Sequence, residues 1–446
     1  MNKRIVRTAG LTIIFLPILF VAYLQFKEYA SYKNCIHRDV NKVVKINIHG
    51  IYKTVAYNII GHPSYYFGGS KRTKNNWLED SGINLPANVF LYCIRTKSPT
   101  TFFCVLPITD LTKLKNFLSK NFSIKKISSQ RSFSLGISSD EKIAVAFSNS
   151  RIAISYSPER EETTSILTDL LLKKSLLSQS SILIEQLKKN NSHIYLRGAQ
   201  TVADINFAKG SIDMTAEIKT NFIKPHLITQ HRRFTAESSI KMWLGADFTI
   251  APEKSIWRIN DFVIHTDSII KYYKGYIDIE MKNQVIQDEK VTSYSYNDDF
   301  QKTEQVSIVK RKIPEITISI KSNANELSSY LQKQGVLNEL GVNKKLFPLY
   351  TLNTYFKHNY LTVSTGNPTI LNHSLVKSSY FLFLEANLDK IRSKKQIPLL
   401  IPYISNFSTF ILKGKQQENN NIRLDGSIRF DNLKINALSQ ITFSIY

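Results

Sequence analysis

An unbroken apolar run near the start of the chain constrains everything that follows it. Residues 9–26 have the sequence AGLTIIFLPILFVAYLQF and follow the basic start MNKRIVRT. The run approaches the roughly 20 apolar residues that a helix needs to cross a bilayer. Because basic residues precede it, the positive-inside rule places the N-terminus in the cytoplasm. We therefore predict a cytoplasmic stub over 1–8, a transmembrane helix over 9–26 and an exported C-terminal bulk.

Two alternatives to an uncleaved anchor stay open, a cleaved signal peptide and a buried core helix. The nearest cleavage site, after Ala30, has Glu28 at the third residue back, where a signal peptidase site has a small residue. A core helix of a globular protein normally keeps one polar face, which this run lacks. The expected location is the bacterial inner membrane, with one span and with the bulk of the chain in the periplasm.

Composition and charge limit the class of partner. The chain is 43% hydrophobic, which is enough to fill real cores and to exclude a disordered protein. Its formal net charge is +24, from 59 basic and 35 acidic side chains. Either one face binds an anionic partner, such as a lipid surface or an acidic polymer, or lysine is simply the common surface residue. We expect no nucleic-acid partner, because the domain is exported and contains no nucleic-acid motif.

The organisation of the chain predicts a degenerate internal duplication. Two segments that begin a helix, at Leu111 and Leu327, are 216 residues apart, and Gly210 and Gly426 share that spacing. The hairpins FSNSRIAIS and FKHNYLTVS are 209 residues apart. The resulting domain prediction is a juxtamembrane linker over 27–39, a first α+β module over 40–220, a central β-meander over 221–312 and a second α+β module over 313–446.

The strand and helix patterns predict the fold class. Apolar and polar residues alternate over most of the chain, and a few stretches have helical spacing, of which the best defined follows the N-cap residue Asp110. Strands that follow one another without a regular helix between them favour antiparallel pairing. We therefore predict an α+β protein: an N-terminal transmembrane helix, then antiparallel sheets with helices on one face, in two degenerate modules around the meander.

Two of the three cysteines are candidates for a disulfide. The segments VFLYCIR and TFFCVL have strand composition and flank a turn-like Lys97-Ser98-Pro99-Thr100. A symmetric turn sets Cys93 opposite Cys104, with Cβ atoms roughly 4.5–5.5 Å apart, which is close to disulfide geometry. Their alternative role is as two small core residues, and Cys35 is left over.

A search for catalytic and ligand-binding motifs finds none that is specific. The chain contains no HExxH, CxxC, GxSxG or phosphate-loop pattern. Ser-x-x-Lys occurs at Ser123/Lys126, Ser268/Lys271 and Ser374/Lys377, among other places, without a partner motif, and Asp298-Asp299 is the only adjacent pair of aspartates. We expect no catalytic residue, no cofactor and no metal ligand, so the chain is predicted not to be an enzyme.

Four stretches, LPANVFLY, VLPITDLTKLKNFL, YSYNDDF and DGSIRFDNLKINAL, resemble those of a loose group of uncharacterised bacterial envelope proteins. The resemblance implies a single N-terminal anchor, a large α+β exported part and no activity. The predicted function is that of a membrane-anchored, non-catalytic accessory or scaffold that works through contacts with other envelope proteins. The alternatives are a module that binds or transfers a lipid or other hydrophobic ligand, and an envelope hydrolase with an unrecognised site.

Overall fold

The computed structural model describes residues 22–33, 35–68, 77–129, 132–249, 256–296, 300–357, 359–367 and 375–444. The chain divides into two compact units. Unit 1 comprises Met1–Lys209 and Lys434–Ser439, and unit 2 comprises Gly210–Leu433 and Gln440–Tyr446.

Unit 1 is built on an antiparallel sheet with the strand order β9-β8-β1-β2-β3-β7-β6-β5-β4. Its strands are β1 (Val40–Asn47), β2 (Asn88–Ile94), β3 (Phe102–Pro107), β4 (Ile127–Ser129), β5 (Ser134–Ile137), β6 (Ile143–Phe147), β7 (Arg151–Tyr156), β8 (Ile194–Gly198) and β9 (Thr201–Phe207). The hairpin that the sequence predicts around Ser148-Asn149-Ser150 joins β6 to β7, with Phe147 opposite Ile152.

Helices cover both faces of the unit 1 sheet. They are α1 (residues 22–31), α2 (Ile48–Gly61), α3 (Pro63–Phe67), α4 (Trp77–Asp80), α5 (Leu111–Phe122), α6 (Thr164–Leu171) and α7 (Ile182–Lys189). The side chain of Asp110 accepts hydrogen bonds from the amides of Thr112 and Lys113, which confirms it as the N-cap of α5. Helix α5 packs in the cluster that contains Val145. Helices α6 and α7 pack in the cluster that contains Ala146, the next residue along the strand, whose side chain points to the opposite face.

Unit 2 is built on a second antiparallel sheet, with the strand order β10-β25-β24-β23-β13-β16-β17-β21-β20 and with β11 also paired to β13. These strands are β10 (Ser211–Ile218), β11 (Ile223–Pro225), β13 (Ile240–Phe248), β16 (Tyr273–Tyr296), β17 (Lys302–Ser322), β20 (Asn353–Lys357), β21 (Tyr360–Ser364), β23 (Leu382–Asn387), β24 (Phe407–Gln416) and β25 (Ile422–Phe430). Strands β16 and β17 are far longer than any strand of unit 1.

Smaller elements complete unit 2. Three two-stranded pairs are formed by β12 (Thr229–Arg232) with β22 (Leu375–Ser378), β14 (Ile256–Ile259) with β15 (Phe262–His265), and β18 (Leu337–Asn338) with β19 (Gly341–Val342). The helices are α8 (Thr266–Tyr272), α9 (Ala324–Lys333), α10 (Leu388–Ser393) and the 3₁₀ helix Pro398–Tyr403. The last helix of the chain, α11, spans Ala437–Ser444.

The two units share part of their topology. Six neighbouring strands follow the same order in unit 1 (β8-β1-β2-β3-β7-β6) and in unit 2 (β23-β13-β16-β17-β21-β20). In each unit a helix, α5 or α9, lies between the third strand of the chain order and the following hairpin. The sequence matches at Leu111 and Leu327 and in the two hairpins fall on these equivalent elements. Gly210 and Gly426 do not, because Gly210 has a φ of 62° ahead of β10 and Gly426 lies inside β25.

The predicted fold class is wrong in three respects. Most of the apolar run 9–26 lies outside the described residues, and among the described residues no helix is long and apolar enough to cross a membrane. The described residues, which form mostly antiparallel sheet, therefore do not bear out the expected transmembrane helix. The helices of unit 1 cover both sheet faces, because β6 and β7 are apolar on both sides. The segment 221–312 forms no separate meander, because β13 and β16 pair within the unit 2 sheet. The α+β content itself is confirmed.

Candidate interaction surface

Strands β16 and β17 extend beyond the sheet of unit 2 as a two-stranded arm. Strand β13 pairs with β16 only as far as Met281, and β21 pairs with β17 only from Thr317 onward. From Ile286 opposite Lys312 to Tyr296 opposite Lys302, each strand pairs only with the other in the part of the chain that the structure describes. We call Ile286–Tyr296 together with Lys302–Lys312 the arm.

The arm is fixed at its base by hydrogen bonds from Gln287. The side-chain amide of Gln287 donates to the carbonyl oxygens of Thr351 and Thr365, each at 2.7 Å. Its Oε1 accepts from the amide of Thr351 at 3.0 Å. These bonds cover the Gln287 side of the arm at its base and leave the opposite side open there.

The open face carries large apolar side chains. Alternation along the strands and the observed register place five of them on one side. Their exposed fractions are 63% for Ile286, 58% for Tyr294, 70% for Tyr296, 61% for Val306 and 66% for Ile308. We call this side the apolar face of the arm. The other side is mainly Ser, Thr, Gln and the exposed ion pair of Arg311 with Glu289, whose atoms are 2.8 Å apart.

Charged residues surround the apolar side chains, and most of them are basic. The same alternation places four lysines and two acids on the apolar face, namely Lys290, Lys302, Lys310, Lys312, Asp288 and Glu304. The ammonium group of Lys302 lies 3.8 Å from the centre of the Tyr294 ring, which is a cation–π contact. The face therefore combines an apolar centre with a net positive rim.

A buried ionic cluster holds the root of the arm in unit 2. Arg232 donates from Nε to Asp278 Oδ1 at 2.8 Å and from Nη1 to Glu280 Oε2. Asp278 is 1% exposed and Glu280 0%. Burial raises the pKa of Asp278 to about 6. For Glu280, burial raises the pKa, but the hydrogen bonds from Ser238 and Thr235 and the charge of Arg232 outweigh it, so its pKa lies below the usual value.

A stack of aromatic rings centred on Trp243 of β13 lies beside the root, with one ring each from β12 and β23. The rings of His231 and Trp243 are stacked with centroids 3.9 Å apart, and those of Trp243 and Phe383 with centroids 4.3 Å apart. The indole nitrogen of Trp243 donates to the carbonyl oxygen of Tyr380 at 3.1 Å. Burial lowers the pKa of His231, so its ring is neutral at pH 7.

The two candidate disulfide residues lie in neighbouring strands of unit 1 as buried free thiols. The structure pairs Tyr92 with Phe103, whereas the predicted register pairs Ile94 with Phe103. The two-residue difference arises because two successive turns, Lys97 to Ile94 and Thr101 to Ser98, connect the strands in place of one symmetric turn. Cys93 therefore does not lie directly opposite Cys104, and no disulfide is formed in the structure.

The remaining motifs of the sequence bring together no catalytic group. Asp298, Asp299 and Ser374 lie outside the described residues. His37 and His49 each lie 3.8 Å from a carboxylate, of Asp39 and Glu28 respectively. Over the described ranges, no group of three or more His, Cys, Asp and Glu side chains is placed to hold a metal ion. The expectation that the protein is not an enzyme stays a prediction.

Sequence reasoning missed the arm, although the sequence contains a signal for it. Residues 284–296 and 302–314 alternate in polarity, but charged residues interrupt the apolar positions of one face, and the other face is mostly polar. Strands that bury a sheet face normally place an apolar residue at every second position. A long alternating stretch that is too polar to line a core is the pattern of a ribbon that projects from a sheet.

The fold and this surface define the class of protein as a mostly antiparallel α+β chain with a projecting arm. No family model and no curated protein matches the chain. Among solved structures it is similar to crystal form I of TP0453, at 9% identity and a TM-score of 0.24, over 74% of this chain and 90% of that one. Crystal form III of TP0453 matches at 9% identity and a TM-score of 0.25, over 74% and 91%. At TM-scores this low the similarity does not establish a shared fold.

Proposed function

We propose that this protein is a non-catalytic accessory or scaffold of the cell envelope that works by docking its arm on a partner protein. The exposed apolar face of the arm is the observation that supports the proposal. A two-stranded hairpin is only marginally stable in water without a third strand or a helix packed against it. Five exposed apolar side chains on one side of such a hairpin indicate a surface that another molecule covers.

A protein partner fits the arm better than the interior of a membrane does. Both outer edges of the arm present backbone N–H and C=O groups that no described strand pairs. Unpaired backbone groups are too costly to place in hydrocarbon, whereas a partner protein can pair them by adding a strand. The lysine-rich rim further favours a partner with acidic residues around an apolar centre.

The comparison of the two units supports a role for the arm outside the fold itself. Strands β2 and β3 of unit 1 occupy the position in the strand order that β16 and β17 occupy in unit 2. They have 7 and 6 residues, against 24 and 21 for the latter pair. Because the short pair is sufficient to build the unit 1 sheet, the extra length of the unit 2 pair is not required for the sheet.

Site-specific photo-cross-linking in the producing cells tests the proposal. A benzophenone amino acid is placed at Ile308, on the apolar face, and in a matched variant at the neighbouring Ser307, whose side chain points to the other face. We expect one discrete protein adduct from position 308 and none from position 307. The purified partner should then bind the full-length chain, and Ile308→Glu should weaken that binding at least tenfold, as loss of an interface hot spot does.

Other results would contradict the proposal in distinguishable ways. An adduct of twice the chain mass would indicate a second copy as the occupant, and lipid adducts would favour the alternative of a lipid-binding module. Equal adducts from positions 307 and 308, or none from 308, would show that the apolar face docks on nothing. The cell-envelope location stays a prediction, which fractionation of the same cells checks independently.

A further inference from the structure

Unit 1 contains a cavity whose walls are basic, and it is distinct from the arm. Its volume is about 310 Å³. Three cationic side chains line it, those of Lys33, Arg151 and Lys173, together with the polar side chains of Ser31, Asn88 and Ser150. The remaining wall is mostly apolar. A volume of this size lies at the lower end of the range for small-molecule sites, roughly 300–1,000 Å³.

The charged side chains among the described residues of the cavity wall are all basic. No acidic side chain is among the described residues that line it. Cys35 also lines the cavity, but burial raises the pKa of its thiol to about 12, so it is uncharged at neutral pH. The guanidinium of Arg151 stays charged there, because arginine does not lose its proton under such conditions.

The backbone at one of the three cations, Lys173, is strained and is held by hydrogen bonds of the neighbouring residues. Lys173 and Ser175 have φ values of 57° and 51°, in the left-handed region that non-glycine residues rarely adopt. The carbonyl of Ser175 accepts from the amide of Arg38 at 2.7 Å, and the carbonyl of Asp169 accepts from the amide of Lys174 at 2.8 Å. Strained residues that surrounding bonds hold in this way cluster at ligand sites.

Asn88 supplies a second, independent indication of a ligand. Its side chain lines the cavity and the residue is 1% exposed. The amide nitrogen donates to Glu28 Oε1 at 2.6 Å and to Ser31 Oγ at 3.0 Å. Its Oδ1, in contrast, has no hydrogen-bond partner among the described residues. A buried acceptor without a partner is costly, and a ligand with a hydroxyl group would satisfy it.

We propose that this cavity binds a small organic phosphate, with the phosphate held by Arg151 and Lys173 and a hydroxyl group donated to Asn88. The planar guanidinium forms paired bonds to phosphate oxygens, and lysine adds a point charge. A phosphate monoester carries up to two negative charges, which suits three cations better than a single carboxylate does. The same group could come from a soluble metabolite or from a lipid headgroup.

Calorimetric titration of the full-length chain tests the proposal. The probes are inorganic phosphate, glycerol 3-phosphate and the short-chain lipid dihexanoyl phosphatidic acid. We expect glycerol 3-phosphate or the lipid to bind, and binding to weaken at least tenfold in Arg151→Gln and in Lys173→Gln, as loss of a charge-assisted bond does. Arg151→Lys should restore part of the affinity. Arg95→Gln is the matched control, because Arg95 is exposed and does not line the cavity.

The three probes and the variants distinguish the possible outcomes. Tighter binding of the soluble ester or of the lipid supports the proposal and identifies the source of the phosphate. Failure of all three probes to bind would overturn it, as would equal weakening in Arg95→Gln, which would indicate attraction by net charge alone. If Arg151→Gln does not fold, Lys173→Gln decides, because the Lys173 side chain is exposed. None of these results depends on whether the arm docks on a partner.

Discussion

Replacing Arg232 by leucine should destabilise unit 2 strongly, because the change leaves two buried carboxylates without their cation. Removing one partner of a buried ion pair typically costs about 3–5 kcal/mol. Protonation limits the cost, since neutralising one carboxyl of ordinary pKa near 4 at pH 7 takes roughly 1.36 × 3, or about 4 kcal/mol. We therefore expect Arg232→Leu to lower the free energy of unfolding by about 3–5 kcal/mol at pH 7.

The stability that Arg232→Leu loses relative to the unchanged protein should also depend on pH, and it should become smaller as the pH falls. In Arg232→Leu the pKa of Glu280 in the folded state rises above its value in the unfolded state. At a pH between these two pKa values, the folded state therefore binds more protons than the unfolded state. Its contribution to stability then falls as the pH rises. In the unchanged protein the pKa of Glu280 is lowered, so Glu280 stays ionised over that range, and only Asp278, whose pKa is about 6, takes up part of a proton as the pH falls. The difference between variant and unchanged protein should shrink by about 1–3 kcal/mol from pH 7 to pH 5.

Urea unfolding followed by tryptophan fluorescence measures the effect, because Trp243 is buried in the aromatic stack of unit 2 whereas Trp77 and Trp257 are 53% and 59% exposed. The matched control is Arg311→Leu, which breaks the exposed pair with Glu289 and should cost less than about 1 kcal/mol. Joint replacement of the three cluster residues by Leu or Met should recover most of the loss. The reasoning is refuted if Arg232→Leu costs no more than Arg311→Leu, or if its deficit grows as the pH falls.

Three further predictions concern stability, the arm and the thiols. Lys45 is 1% exposed and donates to the carbonyl of Leu187 at 2.8 Å, at the end of α7. Lys45→Met should therefore cost about 1–3 kcal/mol in urea unfolding. Burial lowers the pKa of Lys45 to about 8. The free energy of unfolding of the unchanged protein, relative to that of Lys45→Met, should therefore rise by about 1–2 kcal/mol between pH 7 and 9.5. A difference that does not change with pH would contradict the burial of the Lys45 charge. Ile308→Glu should alter the free energy of unfolding of unit 2 by less than about 0.5 kcal/mol, since its side chain is exposed, and a larger loss would show that Ile308 contributes to folding stability. Cys93 and Cys104 should react with iodoacetamide, followed by mass spectrometry, only after unfolding, and rapid labelling of the native chain would contradict their burial.

Features that depend on neighbouring residues could be predicted from the sequence. Asp110 caps α5 because its side chain reaches amides two and three residues ahead. The turn at Ser148-Asn149-Ser150 joins two strands whose alternation fixes their register. The register of β2 and β3 could not be predicted in the same way, because it depends on whether their connection contains one turn or two.

Features that depend on distant residues could not be predicted. A buried lysine such as Lys45 has the same letter as a surface lysine, and its carbonyl partner at Leu187 is 142 residues away. Arg232 meets Asp278 and Glu280 across 46 and 48 residues. The basic cavity of unit 1 likewise joins Lys33 to Lys173, and no local pattern marks either residue. A single sequence shows periodicity and short motifs, whereas these sites consist of contacts between distant segments that folding brings together.

The buried cluster and the exposed arm belong to one strand, and this links stability to the proposed docking. Asp278 and Glu280 lie near the start of β16, and Ile286 to Tyr296 form its projecting end. A ribbon that projects from a sheet transmits force to its root when it binds, so a firmly held root is what makes a long arm useful as a docking element. The cluster and the bonds of Gln287 hold β16 directly, and the aromatic stack around Trp243 lies on its neighbour β13. A variant that weakens the cluster should therefore also weaken docking although it leaves every residue of the apolar face unchanged, whereas Ile308→Glu should weaken docking alone. The two effects separate the strength of the root from the chemistry of the surface.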